Sequence, residues 1–166
     1  MDWALGRFWT LTAYSDFAYF PWAKYQVYAS SHSWDHFLQT TYPRDHWILT
    51  ARYRLPSRMK GAATKAGLID ETSQRARLTV AYTGAQWAFR TQADATRSAS
   101  QQTSNGYMLP QSATWSGLRG LQATVQGGYF HNDDYASRIY TDERGLLYAF
   151  SFPAYFGEGL HYALFL

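Results

Sequence analysis

The dominant pattern along the chain is alternation of apolar and polar positions rather than helical spacing. From Trp9 to Phe20 one parity carries Trp9, Leu11, Ala13, Ser15, Phe17 and Tyr19, and the other carries Thr10, Thr12, Tyr14, Asp16 and Ala18. A period of two places such sets on opposite faces of a strand. His46 to Leu55 repeats the pattern, with Trp47, Leu49, Ala51, Tyr53 and Leu55 opposing His46, Thr50, Arg52 and Arg54, broken only by Ile48. In Arg75–Thr83, Ala76, Leu78, Val80 and Tyr82 oppose Arg75, Arg77 and Thr79; in Ala85–Asp94, Trp87, Phe89 and Ala93 oppose Gln86, Arg90, Gln92 and Asp94. Leu121–Phe130 opposes Leu121, Ala123, Val125 and Tyr129 to Gln122, Thr124 and Gln126. Weaker alternation marks Trp34–Tyr42, Tyr107–Trp115, Leu146–Phe152 and Leu160–Leu166, giving about nine strands; Pro110 weakens the Tyr107–Trp115 assignment, because proline cannot donate to a ladder.

The connections alternate in length. Thr83-Gly84 and Pro43-Arg44-Asp45 read as short turns, whereas 21–33, 56–71, 95–106 and 131–144 read as long polar loops. Arg58–Ile69 has some helical character, but Gly61 and Gly67 argue against a stable helix. Short turns on one rim and long loops on the other describe an up-and-down antiparallel barrel of about eight to ten strands over residues 1–166, or a segment of a larger one.

Composition decides which face is wet. Val and Ile number only six against 22 Ala, and the apolar mass lies in 14 Tyr, 10 Phe and 7 Trp. So much Ala would leave gaps in a soluble core but is tolerable against lipid. The net charge of +3 and the abundant rings argue against disorder. The polar strand positions carry Arg, Gln and Thr, with Lys nearly absent, unlike a solvated exterior. These observations favour a membrane barrel, apolar side toward lipid and polar side toward the lumen, over a soluble sandwich or lipocalin-like binder. Arg52, Arg54, Arg75, Arg77, Arg90, Gln39, Gln86, Gln92, Gln122 and Gln126 are then expected in the lumen. Trp9, Trp47, Tyr53, Tyr82, Trp87 and Tyr129 are expected at the lipid interface. Absence of cysteine excludes a disulfide scaffold and a thiolate metal site. The small charge argues against a dedicated nucleic-acid module. No stretch has the length and apolarity of a membrane helix, and the residues after Met1 do not read as a signal peptide.

Several segments resemble a known family: Phe20-Pro21-Trp22-Ala23-Lys24-Tyr25, Arg52-Tyr53-Arg54 and, most specifically, 133–159, with Asp133-Asp134-Tyr135-Ala136-Ser137-Arg138-Ile139-Tyr140 and Leu147–Gly159. Together they are similar to the C-terminal barrel region of Bacteroidota outer-membrane proteins often labelled helix-hairpin-helix-containing. That resemblance implies a transmembrane barrel in the bacterial outer membrane, with lipid and other outer-membrane or periplasmic proteins as partners. It assigns no activity. The DNA-binding hairpin of those proteins has no counterpart here.

The candidate chemistry is sparse. His32, Ser33 and His36 permit a Ser-His hydrolase reading, a small outer-membrane enzyme acting on lipid, but loop and rim polar residues account for them more simply. Asp133, Asp134, Asp142 and Glu143 permit a calcium loop without an EF-hand pattern; pairing of the first two with Arg138 or Arg144 is the preferred reading. No cofactor, metal or catalytic residue is expected. The lumen arginines have two roles open to them: with Gln and Asp94 they form a plug in a narrow barrel, or they line an anion-favouring wall in a wide one. The last strand, Leu160–Leu166, is short for a membrane crossing and ends on Leu, so incomplete closure is expected.

Overall fold

A computed structural model describes residues 1–25, 27–61, 67–118, 121–140, 154–155 and 157–166. The strands are β1 (Asp2–Leu5), β2 (Trp9–Phe20), β3 (Ser31–Arg44), β4 (Trp47–Gly61), β5 (Leu68–Thr83), β6 (Trp87–Ala99), β7 (Thr103–Leu118), β8 (Leu121–Asn132), β9 (Ile139–Tyr140), β10 (Ala154–Tyr155) and β11 (Glu158–Phe165). Nine of them form one antiparallel sheet in the order β1-β2-β3-β4-β5-β6-β7-β8-β11; β9 and β10 pair separately. This is the up-and-down antiparallel architecture that the alternation predicts. Among the described residues the sheet is open: β1 meets β2 only over Trp9–Thr12, and β11 pairs with β8 alone. The strand expected over Leu146–Phe152 lies outside the described residues.

Three local expectations change. The segments 56–71 and 95–106 are mostly strand rather than loop. Their polar residues hide the alternation, but cross-strand contacts hold them: Arg58 and Lys60 both donate to Glu71, at 2.8 and 2.6 Å, and Ser98 faces Ser104. The hairpin after β3 turns at Asp45-His46, with Pro43 and Arg44 still paired to Ile48 and Trp47. Asp45 has φ +51°, a conformation that Asp tolerates better than most residues and that two-residue hairpins require. Gln86 falls in the turn before β6 rather than on the strand.

Pro110 sits inside β7 opposite Gly128. A Cβ at Gly128 would come within 2.9 Å of the Pro110 Cα, so the glycine lets the two backbones approach, and the register with β8 is unbroken there while the ladder with β6 is interrupted between Gln111 and Met108.

The two faces differ sharply. The sheltered side chains are mainly polar: Gln92, Asp94, Thr96 and Ser98 on β6, Ser104 and Thr114 on β7, Thr124 and Asn132 on β8. Among the described residues the buried apolar side chains are Val27, Met108 and Ile139. The opposite parity exposes Leu49, Leu78, Phe89, Leu109 and Val125. The sheet curls so that one cavity is lined from β5 to β11, which makes the polar face the concave one.

Candidate functional site in the arginine-lined concavity

The concave face is organised by register. Gln39, Arg52, Arg77 and Asp94 lie side by side on β3, β4, β5 and β6; Phe37, Arg54, Arg75 and Thr96 form the next row. Arginines therefore stand directly opposite one another on β4 and β5, Arg52 by Arg77 and Arg54 by Arg75. Cross-strand like charges are unfavourable by themselves, so the acceptors around them matter.

Asp94 is the central acceptor. Its Oδ1 takes the Arg77 Nε–H at 2.5 Å, and its Oδ2 takes the Gln92 Nε2–H at 2.6 Å. Gln92 Oε1 in turn accepts from Arg90 Nη2 at 3.1 Å. A chain of polar side chains thus runs along β6 and crosses to β5. Asp94 is buried, with its side chain 4 % exposed, and a buried carboxylate requires such partners. A second acceptor, Asp35, holds Arg54 through contacts of 2.6 to 3.1 Å and also accepts from the Tyr14 hydroxyl at 3.3 Å. Arg52 donates Nε–H to the neutral Gln39 Oε1 at 2.9 Å and lies over Phe37.

The loop after β8 folds onto this face. Asp134 caps a single 3-10 turn, Tyr135–Ser137, by accepting from the Tyr135 N–H. Ser137 is fully buried; its hydroxyl contacts the Ser104 hydroxyl at 2.9 Å and donates to the Asn105 carbonyl at 3.0 Å. Ile139 is buried beside the arginines. Asp133 anchors the base of the loop by accepting from the Asn105 N–H at 3.0 Å. Both acidic residues order the loop, but through backbone donors rather than through the expected pairing with Arg138, whose Nη1 donates to the Tyr135 carbonyl and whose guanidinium lies over the Tyr135 ring. Arg144, Asp142 and Glu143 lie outside the described residues. Among the described residues no three metal-ligating side chains come together.

Gly106 makes room for the Asn132 side chain on β8 and for this loop: a Cβ there would collide first with Asn132 Oδ1 and would meet the Ser137 carbonyl at 2.7 Å. Gly106→Val should therefore expel the turn. The expected result is rapid amide exchange at Ser137 and Arg138, with exchange in β4 and β5 unchanged.

Two cavities open on the concave face. One, of about 160 Å³, lies among Arg52, Arg54, Arg75, Arg77, Arg138 and Asp94. The other, of about 290 Å³, is bordered by Arg90, Gln92, Ser112, Gln126 and His161. The Gln126 Nε2 there is buried without an acceptor. Gln122 is exposed near the start of β8.

The convex face carries two sets of rings. Toward the short turns, Trp9 contacts Tyr42 at 4.7 Å, Trp47 contacts Tyr82 at 4.9 Å, and Phe89 touches Tyr82 and Trp87. Toward the other end, Phe17 contacts Trp34 at 4.4 Å and Tyr107 contacts Tyr129 at 5.9 Å, with Tyr53 on the same face. Tyr129 also donates to Glu158 at 2.8 Å. Leu38, Leu49, Leu78 and Leu109 share this face, with Leu38 opposite Tyr53, Leu49 opposite Tyr42, Leu78 opposite Ala51 and Leu109 opposite Tyr129.

The Ser-His reading takes a different form from the one expected. Ser15, not Ser33, meets His36, with Oγ to Nδ1 at 2.9 Å, on the convex face. His32 packs against Phe17. Among the described residues no carboxylate forms an ion pair with His36.

Sequence alone did not reveal the infolded loop. Its only local signal is the pair Ser137 and Ile139 beside Arg138, a small hydroxyl and one aliphatic residue in a polar stretch. The chain matches no family model, no curated protein and no solved structure.

Proposed function

We propose that this chain forms the wall of an outer-membrane β-barrel in a Gram-negative bacterium, with a structural or transport role and no catalytic step. The supporting observation is the inverted sorting of the two faces: ten buried polar side chains stand against three buried apolar ones among the described residues, while Leu49, Leu78, Phe89, Leu109 and Val125 are exposed on the opposite face and Tyr14 and Phe37 are rings on the concave one. In water that arrangement exposes a large apolar surface and hides the groups that water solvates best. In a bilayer both costs vanish. The ring sets reinforce the reading. Trp9 to Phe17 on β2, and Tyr42 to Trp34 on β3, are separated by eight residues, roughly 27 Å along a strand, which at a strand tilt of about 35–45° spans about 19–22 Å of an apolar band about 25 Å tall.

The resemblance of the 133–159 block narrows the proposed source to Bacteroidota. Lipid is the first partner. The open edges at β2 and β11 call for further strands, because edge N–H and C=O groups find no partner in hydrocarbon; those strands are the expected protein contact in the membrane. The lumen side is the Arg- and Gln-bearing concavity, and the interface residues are Trp9, Trp47, Tyr53, Tyr82, Trp87 and Tyr129.

Refolding from urea in the presence of phosphatidylcholine vesicles, followed by flotation and an alkaline wash, tests this. The expected result is β-rich protein that floats with the vesicles and survives the wash. A folded, β-rich chain that stays in the aqueous fraction would contradict it.

A further inference from the structure

The two edges of the sheet match each other. β1 covers only Trp9–Thr12 of β2, and Met1 and Ala13 exchange backbone hydrogen bonds just beyond, at 2.9 and 3.0 Å. Residues 14–20 of β2 and the outer side of β11 have no strand beside them among the described residues. In an antiparallel ladder, residues of one parity bond to one neighbouring strand and residues of the other parity to the other. The Met1–Ala13 exchange sets the phase on β2, so Ser15, Phe17 and Tyr19 aim their N–H and C=O groups at the open edge. On β11, the Asn132 N–H donates to the Gly157 carbonyl at 2.8 Å, which sets the odd-numbered residues against β8. Glu158, Leu160, Tyr162 and Leu164 therefore aim at the other open edge. On both edges these are the convex-face residues: Phe17 contacts Trp34, and Leu160 lies opposite Tyr129. Every pairing from β2 through β8 to β11 is antiparallel, and that run contains eight strands, so β2 and β11 point in opposite directions. Direction, face and hydrogen-bond phase all agree. The side chains at both edges are uncovered, with Tyr19 60 % and Tyr162 85 % exposed.

We propose that these edges join between two copies of this chain: β11 of each copy pairs with residues 14–20 of β2 in the other, closing one sixteen-stranded barrel. The lengths agree, seven residues on β2 against the eight of β11, and β1 keeps its place on the remainder of the β2 edge. A second copy supplies both missing partners at once. Head-to-tail contacts of this kind close into a ring and leave no edge in hydrocarbon. The alternative, β11 meeting β2 of its own chain, gives an eight-stranded barrel, whose interior is just wide enough for side chains to fill. Here the concave face already carries Phe37, Arg52, Arg54, Arg75 and Arg77, and the turn Tyr135–Ser137 with Ile139 is folded over it. A backbone segment inside the barrel needs the wider interior that sixteen strands enclose. The inference rests on the membrane-barrel reading and names the source of its further strands.

Disulfide trapping tests the junction. Phe17→Cys is mixed in urea with Leu160→Cys, Tyr162→Cys or Leu164→Cys, refolded with phosphatidylcholine vesicles, and oxidised with copper phenanthroline in both the floated and the aqueous fraction. Hydrogen-bonded partners in such a ladder stand about 5.5 Å apart, within disulfide reach. Face matching permits only shifts of two residues, so one of the three mixtures is expected to give a linked pair of chains containing one of each variant. Neither variant oxidised alone should give that product, because residue 17 meets β11 and not its own counterpart. The chain carrying both of the successful cysteines should likewise be trapped as a pair of chains. A disulfide within a single chain there would show an eight-stranded barrel closed on itself and overturn the proposal. Absence of every one of these disulfides from protein that floats would also overturn it, while leaving the membrane reading in place. Failure to float would contradict the membrane reading, and the same disulfides in the aqueous fraction would then decide the pairing. Light scattering of the wild-type protein in detergent needs no variant to fold: two chains per particle are expected, and one chain, or more than two, overturns the proposal.

Discussion

Asp94→Ala is expected to destabilise the folded chain by about 3–5 kcal/mol, the usual cost of removing one partner from a buried ion pair. Asp94 joins Arg77 to Gln92. Its loss leaves the partly buried Arg77 guanidinium without that carboxylate and the Gln92 amide without its acceptor, beside Arg52 on the neighbouring strand. Truncation therefore costs more than the net value of the contact, because the desolvated groups remain. The companion variant separates these effects. Arg77→Met combined with Asp94→Leu removes both charges and keeps the volume, and should recover most of the loss. Urea titration of lipid-refolded protein, followed by tryptophan emission, reads both. An Asp94→Ala midpoint equal to that of the wild type would mean that the polar chain along β6 contributes nothing.

The second large effect is directional. Leu78 stands on the convex face between Ala51 and Ala93, four residues from the Tyr82 ring, and is 48 % exposed. Thr79, one residue on, faces the concave side between Thr50 and Gln92. Leu78→Arg should reduce the stability of the inserted protein by roughly 2–4 kcal/mol, the cost of an arginine near the midplane of a barrel's lipid face. Thr79→Arg should cost far less, since Arg77 and Arg90 already occupy that side. The two variants have the same charge and adjacent positions, so neither net charge nor strand propensity explains a difference. Equal refolding yields in vesicles would remove the basis for assigning lipid to the convex face.

Much of this organisation is visible in the sequence because face assignment in a strand is a local property. Trp47, Leu49, Ala51 and Tyr53 against Thr50, Arg52 and Arg54 follow from period two alone. So does the grouping of Asp94 with the lumen arginines. What local reading cannot supply is register. That Arg77, rather than Arg75, reaches Asp94, and that Arg52 lies opposite Arg77, depends on how far each hairpin slides, which the turns decide. The ends of β4, β5 and β6 were hidden for a related reason. Arg58, Lys60 and Glu71 are polar whichever way they point, and only their mutual pairing across the hairpin makes 56–61 and 68–72 strand. The infolded turn at Tyr135–Ser137 was hidden because it is specified by its partner: Gly106, about 30 residues earlier, supplies the space, and Ser104 and Asn105 supply the hydrogen bonds. Pro110 misled in the opposite direction: β7 stays in unbroken register with β8 through Pro110 and Gly128, and only the ladder with β6 is interrupted beside it.

The absence of cysteine makes the central claim directly measurable. Single cysteines placed by Leu49→Cys, Thr50→Cys, Leu78→Cys and Thr79→Cys, each carrying a nitroxide in vesicle-refolded protein, report whether a position sees oxygen dissolved in lipid or a nickel chelate dissolved in water. The account predicts alternation: labels at 49 and 78 relaxed by oxygen, labels at 50 and 79 by the chelate. Labels at 49 and 78 relaxed by the chelate, with those at 50 and 79 shielded from it, would show the opposite polarity and contradict the membrane reading.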